Sequence, residues 1–178
     1  MAFLVVSIMK NSIIITGITG VGKTTIGRSL ANSLNFEFID LDKSIELSCG
    51  VDIQTIFAIE NEEGFRKRET EELLKVITNR TNYVLSLGGG CVISDKNREI
   101  IKTSNSVVIQ LFADIEILVQ RLSRSVNKRP LLENVDLHGK ILELYKSRQK
   151  FYDEVTNHTV NTSRLKPSQI INEIKKYL

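Results

Sequence analysis

Gly17-Ile-Thr-Gly20-Val-Gly22-Lys23-Thr24 has the spacing G-x-x-x-x-G-K-[ST], directly after the apolar run Ile13-Ile-Ile15 and directly before a helical stretch. In that setting the glycines let the backbone curl until successive N–H groups face a phosphate, and the helix adds its positive N-terminal end. Gly20, Val21 and Gly22 then form a phosphate cradle, and Lys23 reaches the β- and γ-phosphates. Thr24 ligates Mg2+ through its hydroxyl, and Thr25 gives a further phosphate contact. The pattern specifies a nucleoside triphosphate with Mg2+ and leaves the acceptor open. A glycine turn with an accidental lysine would not account for both flanks.

Asp40 and Asp42 close the run Phe36-Glu-Phe-Ile-Asp40-Leu-Asp42 with i, i+2 spacing, which on a strand turns both carboxylates to one side. One could hold Mg2+ through its water shell, and the other could accept a hydrogen bond from an acceptor hydroxyl and orient it. The competing reading makes Asp42 the cap of the helix carrying Ile45 and Leu47. Further on, Tyr83-Val-Leu-Ser-Leu87 runs into Gly88-Gly89-Gly90, and three glycines at a strand end suggest close approach of another molecule. Cys91, next in line, reads as a small packed residue.

The arginines divide into two kinds. Arg66 has Glu62 and Glu69 at i−4 and i+3, so an ordinary surface ion-pair network is a fair alternative to a functional role, and the same alternative stands for Arg148. Arg129 stands in Ser123-Arg-Ser-Val-Asn-Lys-Arg129-Pro130, a polar, basic segment unlike the striped helices beside it. It reads as part of a mobile lid, about residues 124–136, able to bring positive charge over a transferring phosphoryl group. There is no serine triad, no His/Cys cluster and no nucleic-acid motif. His138 and His158 stand alone and read as structural or exposed.

These residues need a frame, and the chain alternates short β-rich runs with helical patterns. Strands are expected over 12–16, 37–40, 83–87, 106–112 and 159–161. Helices are expected over 23–34, 43–48, 52–59, 62–78, 95–102, 114–123, 137–155 and 168–177. Ile13-Ile-Ile15 and Val107-Val-Ile109 are continuously apolar, as in strands covered on both faces. Ile115, Leu118, Val119 and Leu122 form a helical stripe that Asp114 is placed to cap. The alternation means right-handed crossovers and a parallel α/β sheet, whose ligands bind at the carboxyl ends of the strands.

With 178 residues, 42% hydrophobic and 25% charged, the chain fits one domain, residues 1–178. A net charge of +3 and 6% aromatics argue against nucleic-acid binding. Cys49 and Cys91 suit a reducing compartment. The apolar start, residues 1–9, is shorter than the roughly 20 residues of a membrane span and reads as an extension, with Met9 an alternative start. A cytoplasmic monomer without membrane or nucleic-acid partners is expected.

The ordered motifs resemble the shikimate kinase family over Ile13 to Leu178. The pieces that carry the resemblance are the phosphate loop, Phe38-Ile-Asp40-Leu-Asp42-Lys-Ser-Ile-Glu46, Gly64-Phe-Arg66-Lys-Arg-Glu69 and Leu85-Ser-Leu-Gly-Gly-Gly90. Arg129-Pro-Leu-Leu132 and Tyr145-Lys-Ser-Arg148-Gln-Lys-Phe-Tyr152 complete them. The resemblance implies a three-layer α/β/α P-loop kinase of the nucleoside-monophosphate-kinase type with a five-stranded parallel sheet. It implies ATP-dependent phosphorylation of the shikimate 3-hydroxyl, within chorismate and aromatic amino-acid synthesis. By position, Asp42 contacts the shikimate hydroxyls as candidate base, and Asp40 helps hold the Mg2+ shell. Arg66 and Arg148 bind the carboxylate, Gly89 makes a backbone contact between Gly88 and Gly90, Arg129 closes over the phosphates, and Arg121 and Pro167 flank adenine. Gluconate kinase and nucleotide kinases share the loop but lack the combination of Asp40-Leu-Asp42, triple glycine and Arg148. A non-catalytic nucleotide-binding module would have lost these acceptor residues.

Overall fold

β1 (Ser12–Thr16), β2 (Glu37–Asp40), β3 (Tyr83–Ser86), β4 (Ser106–Phe112) and β5 (His158–Asn161) form one sheet in the order β2-β3-β1-β4-β5, parallel at every pairing. The computed structural model describes residues 12–126 and 136–178, with backbone alone at 125 and 126. Met1–Met9, Lys128, Arg129 and most of the expected lid lie outside the described residues.

Ile13, Ile14 and Ile15 of β1 are buried, as are Val107, Val108 and Ile109 of β4, because the central strands are covered on both faces. Each such side chain stabilises the fold by about 1.5–3 kcal/mol relative to exposure. The edge strands β2 and β5 are only partly buried. α1 (Lys23–Leu34) and α7 (Pro167–Lys175) pack together on one side. α4 (Asp95–Thr103) and α6 (Leu137–Val155) pack together on the other, reached by Gln110 of β4 through Gln149. α5 (Ile115–Val126) buries Leu118 fully and packs Ile115, Val119 and Leu122 against the core, the expected stripe.

One local expectation changes. β2 ends at Asp40 and α2 (Leu41–Cys49) begins at the next residue, so Asp40 and Asp42 are not alternate residues of one strand. The cap belongs to Asp40, whose Oδ1 accepts from the Lys43 N–H at 3.3 Å, while Asp42 sits in the first helical turn. With no loop between strand and helix, the turn itself swings both carboxylates to the carboxyl edge. The helices expected over 52–59 and 62–78 are both present and follow one another along α3 (Ile53–Asn79), separated by a kink at Asn61, whose φ 59° and ψ −173° are not helical.

Candidate active site

The chain leaves β1 through Gly17, at φ +135°, where a Cβ would come within 2.2 Å of the Leu111 carbonyl oxygen. Only glycine lets the loop turn this close against β4. Lys23, at the start of α1, folds back over the loop and donates to the carbonyls of Gly17 at 2.8 Å and Ile18 at 3.1 Å. Burial lowers its pKa to about 8, against the carboxylates of Asp42 and Asp40, which raise it. Its ammonium is thus held by carbonyl oxygens that phosphate oxygens can replace. Val21 is buried, and its carbonyl accepts from Thr162 Oγ1 at 3.2 Å and Arg121 Nη1 at 3.5 Å. Arg121 also donates through Nη2 to the Thr162 carbonyl at 2.6 Å, which pins α5 to the edge of the phosphate loop.

Thr24 Oγ1 donates to Asp40 Oδ2 at 2.9 Å. Two hard oxygen groups in contact beside the phosphate loop are a donor set that would fit Mg2+. Asp42 lies beside them. Burial raises its pKa, Asp40 adds to the rise, and Lys23 and Arg66 oppose it. A raised carboxylate pKa is the property that a proton acceptor in catalysis requires. Gly20, Gly22, Lys23, Thr24, Thr25 and Arg121 all line a cleft of about 420 Å³, whose other walls include Asp40, Asp42, Gly88 and Gly89.

The triple glycine follows β3, which lies between β2 and β1 and so brings its carboxyl end between the acids and the phosphate loop. A Cβ on Gly88 would stand 2.7 Å from Asp42 Oδ1 and 3.4 Å from Glu69 Oε1. The Gly89 carbonyl accepts from Arg148 Nη1 at 3.1 Å and from the Tyr152 hydroxyl at 2.6 Å. A Cβ on Gly89 would also meet Thr19 of the phosphate loop at 3.3 Å, and one on Gly90 would meet Arg66 Nη2 at 2.6 Å. Each glycine therefore receives a different functional side chain.

Arg66 keeps the ion pairs expected of it, with Glu62 at 3.1 Å and Glu69 at 2.9 Å. The network is not a surface one, however, since Glu69 is 1% exposed, and burial raises its pKa against the pull of Arg66. Cys91 is fully buried and its thiol pKa is pushed well up by desolvation, as suits a packed, unreactive residue. Pro167 is the exposed first residue of α7. Thr19, Asn97, Tyr152 and Thr162 carry no sequence signal of a role at the site, and Glu69 shows in sequence only as an ion-pair partner of Arg66. Tyr152 and Glu69 stood inside recognisable segments, but nothing local distinguishes them from ordinary helix residues.

A model of the family described as SKI: Shikimate kinase matches residues 19–178. A shikimate kinase of Legionella pneumophila (strain Corby) is 42% identical over 173 residues, spanning 97% of each chain. One of Francisella tularensis subsp. novicida is 39% identical over 171 residues, spanning 96% of each. Among solved structures, a shikimate kinase from Acinetobacter baumannii in complex with shikimate superposes with a TM-score of 0.84 at 36% identity, over 94% of this chain and 92% of that one. A gluconokinase from Sinorhizobium meliloti, at 17% identity and a TM-score of 0.56 over 93% of this chain and 89% of that one, shares the fold alone.

Proposed function

The chain belongs to the shikimate kinase family, and from that premise we propose that it transfers the γ-phosphoryl group of ATP to the 3-hydroxyl of shikimate, releasing ADP and shikimate 3-phosphate. The observation that carries this reading is the gathering of Asp42, Arg148 and Arg66 at Gly88, Gly89 and Gly90 in turn. A carboxylate beside two guanidinium groups suits an acceptor that carries both hydroxyls and a carboxylate.

In this reading Arg66 and Arg148 hold the shikimate carboxylate, and the Gly88–Gly90 backbone lets the ring approach. The Asp42 carboxylate takes the proton of the 3-hydroxyl as its oxygen bonds to the γ-phosphorus. The bond from that phosphorus to the β,γ-bridging oxygen breaks, and the electron pair leaves with ADP. Lys23 leaves its loop carbonyls for the β- and γ-phosphate oxygens. Thr24 and Asp40 hold Mg2+, which when bound spreads the charge of the phosphate oxygens. Gly20, Val21, Gly22 and Thr25 cradle the phosphates, Arg121 and Pro167 flank adenine, and Arg129 closes over the transferring group.

The same reading takes residues 1–178 as one catalytic domain acting as a monomer on small-molecule substrates. Its free cysteines fit the cytoplasm, and among the described residues no helix is long and apolar enough to cross a membrane. The test is coupled ADP release with shikimate, its methyl ester, gluconate and nucleoside monophosphates. Turnover is expected with shikimate alone. Equal rates with the ester overturn the carboxylate assignment to Arg66 and Arg148, and faster turnover of gluconate or a nucleotide overturns the acceptor.

A further inference from the structure

Asn97 lies in the first turn of α4, 0% exposed, at a position where an aliphatic side chain would be the simpler choice. A buried amide costs free energy unless its groups find partners, and here they all do. Nδ2 donates to the Cys91 carbonyl at 2.9 Å and to Glu69 Oε2 at 3.4 Å. Both of these partners are acceptors, which fixes the orientation of the amide. Oδ1 then faces the Thr70 hydroxyl, 2.6 Å away, which must donate to it.

Every one of these partners belongs to the acceptor side of the site. Cys91 follows Gly90 directly, so the bond to its carbonyl anchors the end of the triple glycine. Thr70 is one helical turn beyond Arg66 on α3, and its hydroxyl also lies 3.0 Å from the Arg66 carbonyl. Glu69 is the carboxylate that receives Arg66 Nη1 at 2.9 Å. The side chain that turns Arg66 toward Gly90 is thus oriented from behind by one amide, which at the same time holds Gly90 in place.

We propose that Asn97 is a positioning residue for acceptor binding, setting the Arg66 guanidinium against Gly90 through Glu69 and the Cys91 carbonyl. The proposal rests on the acceptor reading given above. Asn97 touches no part of the phosphate loop in this network, so its influence falls on the acceptor and not on ATP. Its removal leaves Glu69 with one donor fewer and loosens the carboxylate that receives Arg66 Nη1, while the Glu62 ion pair stays.

The experiment is steady-state kinetics of Asn97→Leu, in the parent and in an Arg66→Ala background. In the parent, KM for shikimate should rise about tenfold, the scale of a lost hydrogen bond to a charged group, with kcat and KM for ATP nearly unchanged. Beside Arg66→Ala the same substitution should add no further rise, because the group it positions is gone. Thr70→Val, which removes only the hydroxyl that fixes the amide, should raise the same KM by a smaller factor and keeps the question open to measurement if Asn97→Leu does not fold. A parent that ignores shikimate refutes the acceptor reading itself. A parent that turns it over, with the variants showing only a lower Tm, a fall in kcat, or rises that multiply with Arg66→Ala, overturns the positioning role alone.

Discussion

The Arg66 guanidinium sits so close over Gly90 that a single methyl group there would come within 2.6 Å of Nη2. The backbone of Gly90 is in an ordinary right-handed conformation, φ −103° and ψ −2°, which any residue adopts. The glycine is required by the neighbouring side chain, not by its own dihedral angles.

Gly90→Ala should therefore act on substrate and scarcely on folding. The colliding atom is the far end of a flexible side chain, which can move aside. KM for shikimate should rise about tenfold or more as one charge-assisted contact is lost, with Tm within a few degrees of the parent. Gly88→Ala should differ, because its methyl meets Asp42 Oδ1, and the loss should fall on kcat. Matched kinetics for the two variants, with kcat and KM measured apart, check this; identical profiles would refute the separate assignments.

Asp42→Asn keeps the shape of the side chain and removes its proton affinity. The fall should appear in kcat, about 10²-fold or more for a group that accepts the proton. Because burial and Asp40 raise the Asp42 pKa, the parent should lose activity on the acid side at a higher pH than an ordinary aspartate would dictate. That limb should be absent from the kcat–pH profile of the variant. A near-normal kcat with a raised KM would leave Asp42 a purely positioning role.

Lys23→Met should abolish turnover yet stabilise the empty protein at neutral pH. Burial holds the folded-state pKa at about 8, below the ordinary value of 10.5. Between these values the unfolded chain holds more proton than the folded one, so the parent gains stability as pH rises through that window. The variant has no such gain. Its Tm should exceed the parent's at pH 7 by ~2–4 °C, for a net ~1 kcal/mol, and the gap should narrow toward pH 10. Thermal unfolding of both proteins across that range decides it, and a gap that widens with pH would sink the idea.

Residues close together in the chain were legible because their signals are short-range. The phosphate loop announces itself through glycine spacing and a lysine at a helix start, and β1 and β4 through runs of isoleucine and valine that only a doubly covered strand requires. Steric limits on a few consecutive residues determine such patterns, and no distant contact alters them. Asp40 and Asp42 mark where this breaks down. Their identity was readable, but whether strand or helix carried them depended on where β2 stops, and the cap on Asp40 decided it. The rest belongs to tertiary structure. Arg66, Gly90 and Arg148 stand far apart in sequence, and Asn97 carries no local mark at all. They meet because the order β2-β3-β1 sets the carboxyl end of β3 between the acids and the phosphate loop, with α3, α4 and α6 converging behind it. Sequence determined which chemical groups were available; the order of strands determined which of them touch, since contact across so many residues depends on packing that no local pattern encodes.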